Sequence, residues 1–311
     1  MKKVIGRALL AILMALSVTS VASATVTWNK DVNLYRFVTG TEAQDGGFGL
    51  VTMKENYGGF KLTKLNKLGD YEWSKKFAPT QASYTFPKAV CATSDNGLVV
   101  TGQYDAGNAM QSYLLKYSAD GPIEWSKKIK SQHAPAILPT SWRTIDVNDV
   151  VSTGDGYLLY GGHYSGKKNK TYEIHLFVAK TDTLGDVQWA KLVRENATER
   201  YTQQWKNGRK IAVLPSGGYI LPTLTPEGDA RLIKIDETGS IVWAKDYSIE
   251  GARSSTPAVI ALDDGSMIVA GAKWFYPYSA PLWVMKLNAD GEIVWQKKYQ
   301  SGKNGGAAPT L

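Results

Sequence analysis

The stretch LNADGEIVWQK at residues 287–297 is the clearest copy of a unit that recurs along the chain. In every copy a glycine stands four residues before a tryptophan, one lysine stands five residues before that glycine, and another stands two residues after the tryptophan. The residue three before the glycine is Asn, Ser or Asp, side chains that cap turns. The unit therefore predicts a strand, a tight turn and a strand. The five glycine and tryptophan pairs are Gly69 with Trp73, Gly121 with Trp125, Gly185 with Trp189, Gly239 with Trp243, and Gly291 with Trp295.

The spacing between these tryptophans predicts the architecture. Successive tryptophans lie 52, 64, 54 and 52 residues apart, which is close to the length of one four-stranded propeller blade and too long for a helical repeat. In the last repeat, apolar or alternating segments between turn residues predict strands at 258–262, 266–272, 282–287 and 292–297. The sequence thus predicts an all-β chain that forms a β-propeller of four-stranded antiparallel blades, with five blades and a partial sixth as the alternative.

Two features depart from a regular pattern of five blades. Trp28 and Lys30 repeat the Trp-x-Lys ending with no repeat in front of them. Their segment could add to the outer edge of blade five, form part of a sixth blade or pair with another chain. We favour the first, since radial repetition protects sheet edges. Pro222 lies within a predicted strand of the fourth repeat, where its missing amide indicates a bulge or a break.

The first 24 residues have the pattern of an export signal. A positive start with Lys2, Lys3 and Arg7 is followed by an apolar run over 8–18 and by small residues at 22–24, as in a Sec signal peptide. The apolar run is short for a transmembrane anchor. We therefore expect a signal peptide at 1–24, a propeller domain at 25–300 and a flexible C-terminal tail at 301–311. The expected protein is periplasmic or secreted, with no membrane insertion after cleavage.

Charge and cysteine content narrow the possible partners. The formal net charge is +8, and loss of the three cations of the signal leaves +5. No basic block or nucleic-acid motif accompanies this charge, so no nucleic-acid partner is expected. Ten cations are the lysines of the repeat, whose ammonium groups we expect in water beyond stems that lie along strand faces. Cys91 is the only cysteine, which excludes an internal disulfide and is typical of a buried, inert thiol.

The glycine turn followed by tryptophan, as in ETGSIVW at 237–243, resembles the tryptophan-docking repeat of the PQQ-like β-propellers. That family includes quinoprotein dehydrogenases and an outer-membrane assembly lipoprotein. The repeat is also similar to those of exported bacterial propeller proteins of unknown function. The resemblance covers about residues 25–300 and implies that each tryptophan docks against the turn of a neighbouring blade. The chain departs from the quinoprotein enzymes, which use eight blades and, in the alcohol dehydrogenases, an adjacent cysteine pair, so no cofactor is expected.

Few residues indicate catalysis or metal binding. The three histidines, His133, His163 and His175, do not pair at the spacing of a metal site, and the acidic turns lack the spacing of a calcium loop. No nucleophile elbow or phosphate-binding loop is present. Asp146 and Asp149, on the predicted inner strand of blade three, are the candidates for the paired carboxylates of a glycan hydrolase or lyase. No metal is expected. Whether the protein is an enzyme stays open, and these residues favour a protein that is not one.

The connections between strands differ on the two faces of the predicted ring. Those from first to second strand and from third to fourth are tight turns on one face, the short-turn face, whereas the others emerge on the opposite, long-loop face. Variable loops on a rigid scaffold commonly carry binding residues, and Trp, Tyr and Arg are frequent anchors. The candidate binding residues on the long-loop face are Trp142, Arg143, Tyr164, Trp205, Arg209, Trp274, Tyr276 and Tyr278.

Together these patterns predict a binding or assembly module. Stacked aromatic rings suit a sugar, and interleaved cations suit an anionic ligand. The expected partner is therefore a glycan, a peptide or a protein in the cell envelope or outside the cell. Two alternatives remain open: a glycan hydrolase or lyase built on the five-bladed ring, and a structural surface protein that assembles through blade edges.

Overall fold

The computed structural model describes ten ranges of the chain: 36–53, 58–79, 84–105, 110–129, 144–164, 172–199, 210–225, 227–248, 257–272 and 282–299. The predicted signal peptide (1–24), the segment with Trp28 and Lys30, and the predicted tail (301–311) lie outside the described residues.

Each repeat forms one antiparallel sheet, called a blade below, whose four strands follow one another in chain order. The strands are, in blade 1, β1 (Arg36–Glu42), β2 (Phe48–Met53), β3 (Phe60–Leu65) and β4 (Tyr71–Phe77); in blade 2, β5 (Thr85–Ala92), β6 (Leu98–Asp105), β7 (Met110–Tyr117) and β8 (Ile123–Ile129); in blade 3, β9 (Thr144–Thr153), β10 (Gly156–Tyr164), β11 (Tyr172–Thr181) and β12 (Val187–Glu199); in blade 4, β13 (Ala212–Val213), β14 (Tyr219–Leu224), β15 (Ala230–Ile235) and β16 (Ile241–Tyr247); and in blade 5, β17 (Ala258–Ala261), β18 (Met267–Ala272), β19 (Leu282–Leu287) and β20 (Ile293–Tyr299).

These five sheets confirm the predicted fold, an all-β propeller of four-stranded antiparallel blades. The described residues contain strands and turns but no helix, and within them no helix is long and apolar enough to cross a membrane. The bounds predicted for β19 agree with the structure, and the other predicted strands of blade 5 differ by one or two residues.

The tight turns form because their glycines adopt a backbone conformation that other residues rarely adopt. Gly185 has a φ of 79°, and its amide donates to the carbonyl of Asp182. The Asp182 carboxylate accepts hydrogen bonds from the amides of Leu184 and Asp186. This is the capping role predicted for the residue three before each glycine, and it is confirmed in four of the five turns. The same pair of bonds is made by Asn66, Asp236 and Asn288. In the fifth turn the Ser118 hydroxyl instead donates to the carbonyl of Pro122.

Each repeat tryptophan of blades 1 to 4 lies against the glycine turn of the following blade. The Trp73 Nε1 donates to the carbonyl of Ala119 at 2.6 Å. A Cβ added to Gly121 would lie 2.9 Å from the Trp73 ring, so a larger residue would displace the indole. The equivalent contacts are Trp125 on Gly185, Trp189 on Gly239 and Trp243 on Gly291. The blade face that carries the tryptophan, called the tryptophan face below, therefore packs on the next blade.

Four clusters of buried apolar side chains extend this packing inwards. They join blade 1 to blade 2, blade 2 to blade 3, blade 3 to blade 4, and blade 4 to blade 5. Burial of apolar area in these clusters supplies the main stabilisation of such a ring. A fifth cluster of the described residues contains Phe48, Leu50 and Leu65, which all belong to blade 1.

The irregularity predicted at Pro222 has a different form from the one expected. β14 pairs with β15 through Pro222 without a register shift, so the predicted bulge is absent. The neighbouring inner strand β13 is instead only two residues long and pairs with Tyr219 and Ile220 alone. β14 is therefore close to an edge strand at Pro222, a place where a missing amide donor is tolerated.

The first lysine of the repeat is buried in three blades, contrary to the prediction of ammonium groups in water. A buried charge is stabilised only by a partner, and an aspartate of the first tight turn of the same blade provides one. The Nζ to carboxylate distances are 2.5 Å from Lys64 to Asp45, 2.8 Å from Lys116 to Asp95 and 2.6 Å from Lys180 to Asp155.

Candidate functional site

The strand bounds give the two faces of the ring different connections. On the short-turn face, the ten connections contain two to five residues each. On the long-loop face, the nine connections range from four residues at 106–109 to twelve at 200–211 and fourteen at 130–143. The difference predicted from the sequence is therefore present in the structure.

Seven of the eight candidate binding residues belong to long connections and lie outside the described residues. Tyr164 is the last residue of β10 and stands opposite Thr144 and Ile174 in the sheet, at the strand end nearest the long-loop face. The connections that contain the other seven begin and end at that same face. The seven are Trp142, Arg143, Trp205, Arg209, Trp274, Tyr276 and Tyr278.

The two candidate carboxylates lie on β9, the inner strand of blade 3, with Asp146 near its long-loop end and Asp149 in its middle. A bulge at Asn148 shifts the register between them. Asp146 is 5% exposed, and its Oδ2 lies 3.4 Å from the Nζ of Lys88 on the inner strand of blade 2. This carboxylate therefore connects blade 3 to the blade before it.

Asp149 connects blade 3 to the blade after it. Its Oδ2 accepts a hydrogen bond from the amide of Ile211 at 2.5 Å, just before the inner strand of blade 4. Burial raises the pKa of Asp149 to about 7, although the Ile211 amide and the Lys210 ammonium act in the opposite direction. A proton on this carboxyl group is thus gained or lost near neutral pH.

These contacts describe two structural carboxylates better than a catalytic pair. Asp146 and Asp149 point to opposite neighbouring blades, and each is almost fully buried. A retaining or inverting glycosidase needs two carboxyl groups that face one sugar from the two sides of the scissile bond. The described geometry gives each carboxylate a partner between blades instead.

Two lysines that the sequence analysis did not single out complete this inner layer. Lys88 occupies a bulge of β5 and pairs with Asp146. Lys210 directs its Nζ to the carbonyl of Gly40 on blade 1 at 3.4 Å. Neither belongs to the repeat lysines, so the periodic pattern could not mark them. Only the register of the inner strands brings them beside the two aspartates.

The described residues offer little other chemistry. No group of three or more His, Cys, Asp or Glu side chains within them could hold a metal ion. His175 is buried on β11, His163 belongs to β10, and His133 lies outside the described residues. Burial raises the pKa of the Cys91 thiol, so this group is a protonated and unreactive one at neutral pH.

A pocket of about 230 Å³ lies between blades 2 and 3 on the short-turn face. Lys116, Trp125 and Tyr157 line it together with turn residues, and the rings of Trp125 and Tyr157 are 5.9 Å apart. Its volume is below the range typical of small-molecule sites. It lies beside a tryptophan-docking contact and is best explained as the wedge that remains between two packed blades.

Comparison with known proteins gives distant structural likenesses. No protein-family model matches the chain, and no curated protein matches it. Among solved structures, a subtype N10 neuraminidase-like protein of A/little yellow-shouldered bat/Guatemala/060/2010 is similar, with a TM-score of 0.48, 9% identity and coverage of 88% of this chain and 86% of that one. A xylan beta-1,4-xylosidase from Bacillus halodurans C-125 has a TM-score of 0.44 and 9% identity over 69% of this chain and 41% of its own. Because both TM-scores are below 0.5, the fold assignment rests on the sheets and docking contacts described above.

Proposed function

We propose that this protein is an exported binding or assembly module that recognises a glycan, a peptide or a partner protein through its long-loop face. The observation that carries the proposal is the difference between the two faces of the ring. Ten short turns form one face, whereas the connections on the other reach fourteen residues. A rigid scaffold with long loops on one face is the usual arrangement of a binding protein.

The composition of those loops indicates the class of ligand. They contain Trp142, Trp205 and Trp274 together with Arg143 and Arg209. Indole rings present flat apolar faces to sugar rings or to side chains, and guanidinium groups form paired hydrogen bonds with carboxylates and phosphates. An acidic glycan of the cell envelope combines both properties and is the ligand we would test first.

The inner layer of the ring favours binding over hydrolysis. Asp146 and Asp149 are each bonded to a different neighbouring blade, so neither is placed for general acid or base chemistry in an open cleft. The hydrolase or lyase alternative requires an acidic pair elsewhere, at the mouth of the channel. An assay of release of reducing sugar from envelope glycans tests it, and activity that is kept in both Asp149→Asn and Tyr71→Ala would favour this alternative.

A binding screen with two matched triple variants tests the proposal. The first variant changes Trp142, Trp205 and Trp274 to alanine on the long-loop face. The control changes three exposed apolar residues of the short-turn face to alanine: Tyr71, Leu184 and Ile241, which are 63%, 61% and 51% exposed. Both proteins are first shown to be folded by circular dichroism and to melt cooperatively.

The proposal predicts that an array of envelope glycans and peptides is bound by the original protein and by the control, and that the long-loop variant loses this binding. Equal binding by all three proteins, or loss in the control alone, would contradict it. Absence of binding by the original protein would favour the alternative function, assembly through blade edges. That second candidate function is favoured by Trp295 of blade 5, which is 38% exposed.

A further inference from the structure

The tryptophan contacts follow a rule of chain order. The tryptophans of blades 1, 2, 3 and 4 each dock on the glycine turn of the blade that follows next in the sequence. In blades 2, 3 and 4 the lysine two residues after the tryptophan reaches the residue next to the glycine. Lys127 Nζ lies 2.7 Å from Asp186 Oδ1, Lys191 Nζ lies 3.2 Å from Ser240 Oγ, and Lys245 pairs with Glu292. Each of these docking strands thus contacts one turn at two points. The indole packs on the glycine, and the ammonium group binds a polar side chain.

Blade 5 has the docking residues but no described blade on which to dock. Trp295 is 38% exposed, and every residue of β20 except the last is exposed, whereas the equivalent strands β8 and β16 have partly buried tryptophans and a buried end. Lys297 lies over the Trp295 ring of its own strand, as Lys191 and Lys245 lie over Trp189 and Trp243 in blades 3 and 4. None of the buried clusters of the described residues joins blade 5 to blade 1.

Blade 1 presents the opposite situation, a complete turn without a described tryptophan. Gly69 has a φ of 75°, and Asn66 caps the turn with the same bonds as its counterparts. Gly69 and the cluster of Phe48, Leu50 and Leu65 are buried. The turn glycine and the cluster of blade 1 are therefore buried, although Trp295 of blade 5 is 38% exposed.

The Trp-x-Lys pattern occurs six times in the chain, and the sixth copy is Trp28-Asn29-Lys30. It stands directly before blade 1, as each docking strand stands directly before the blade that it contacts. We infer that residues 26–30 form a docking strand on blade 1, with the Trp28 indole on Gly69 and the Lys30 ammonium at Asp70. The segment itself lies outside the described residues.

Chain length and charge both permit this contact. Five residues, 31–35, separate Lys30 from the first residue of β1, and they span up to about 17 Å when extended. The equivalent stretch between Lys75 and β5, residues 76–84, is nine residues long. Asp70 holds the position that Asp186 and Glu292 hold in their turns, and both of those side chains pair with a docking lysine. The charge of Lys30 is thus complementary to the turn.

The inference has a consequence for the ring. If residues 26–30 instead added to the outer edge of blade 5, as the sequence analysis predicts, Trp295 would be the tryptophan that docks on the turn of blade 1. If residues 26–30 dock on blade 1, they occupy its glycine turn, and the tryptophan face of blade 5 stays open. The open face then carries Ile260, Trp295 and Lys297, of which the first two are each 38% exposed.

Cross-linking of cysteine pairs distinguishes the two arrangements. In the full chain with Cys91→Ala, three pairs are compared with a short bis-maleimide at low protein concentration. The benchmark pair, Lys245→Cys with Glu292→Cys, represents a contact seen in the structure. The test pair is Lys30→Cys with Asp70→Cys, and the rival pair is Lys297→Cys with Asp70→Cys. Circular dichroism verifies that each variant is folded.

Docking of residues 26–30 predicts a cross-link within one chain for the benchmark and test pairs, and none for the rival pair. The inference is overturned if the rival pair cross-links within the chain, if the test pair links only two separate chains, or if the test pair fails where the benchmark reacts. Peptide mass spectrometry after digestion assigns each product.

A second measurement needs no cysteine. Trp28→Ala should lower the melting temperature by about as much as Trp73→Ala, while Asn29→Ala should leave it nearly unchanged, since alternate residues of a strand face opposite sides. Equal, small effects of Trp28→Ala and Asn29→Ala would overturn the inference.

Discussion

The Nζ of Lys116 lies 2.8 Å from the Oδ2 of Asp95, on a lysine that is 3% exposed. The same ammonium group lies 3.2 Å from Glu124 Oε2, so a buried cation is held by two carboxylates at the surface of blade 2. The arrangement recurs with Lys64, Asp45 and Glu72 in blade 1. The repeat lysine therefore links the third strand of its blade to the first turn through an ion pair.

Asp95→Asn should destabilise the fold by about 1–3 kcal/mol, because it removes a charged hydrogen-bond acceptor from a buried ammonium group. Asp264→Asn in blade 5 is the matched control. Lys286 is 30% exposed and lies 3.7 Å from Asp264, so water replaces this partner at little cost. Urea denaturation at pH 7 measures both changes. Equal midpoints for the two variants would contradict a stabilising role of the buried ion pair.

Asp149 should make the fold less stable as the pH rises from about 4 to about 7. Burial raises the pKa of this carboxyl group to about 7, whereas an unfolded aspartate ionises near about 3.9. Between these values the unfolded chain releases a proton that the folded chain retains, so rising pH favours unfolding. Asp149→Asn keeps an acceptor for the Ile211 amide but has no proton to lose.

The measurement compares urea midpoints of both proteins at pH 5 and pH 8. Relative to the original protein, Asp149→Asn should gain stability between the two values. Lys210, whose charge acts on Asp149, is unchanged in both proteins. A difference between the proteins that does not vary with pH would show that Asp149 is ionised in the fold throughout.

Truncation of the docking tryptophans should depend on the blade. Trp243→Ala removes an indole that is packed on Gly291 and within the cluster between blades 4 and 5, and we expect a loss of about 3–5 kcal/mol. Trp295→Ala removes a ring that is 38% exposed, so a loss of about 1–2 kcal/mol is expected. Calorimetric melting of both variants tests this order, and a larger loss for Trp295→Ala would mean that blade 5 is docked on a further sheet.

The fold was predictable because its signal is periodic. Glycine, tryptophan and two lysines recur at fixed spacing, and the capping residue at Asp182 or Asn288 marks the same turn in each copy. The burial of Lys116 was missed although the sequence contained a signal for it. In four of the five repeats, an aspartate in the first turn accompanies the buried or half-buried lysine.

The candidate site was less accessible to prediction, because its residues do not repeat. Lys88 meets Asp146, and Lys210 acts on Asp149, only through the bulges and register of inner strands from different blades. No spacing in the sequence encodes such a contact. The long loops could be located from composition, since Trp142 and Trp274 stand in segments without strand pattern, but the ligand of a loop surface depends on side-chain positions that composition does not determine.

The affinity of the long-loop face for an acidic envelope glycan tests the central claim most directly. Titration calorimetry would compare the original protein, the variant with Trp142, Trp205 and Trp274 changed to alanine, and the control with Tyr71, Leu184 and Ile241 changed to alanine. Because stacked indoles dominate such contacts, we predict at least a tenfold weaker affinity, about 1.4 kcal/mol, for the first variant and an unchanged affinity for the control. An affinity that falls equally in both variants, or only in the control, would contradict binding through the long-loop face.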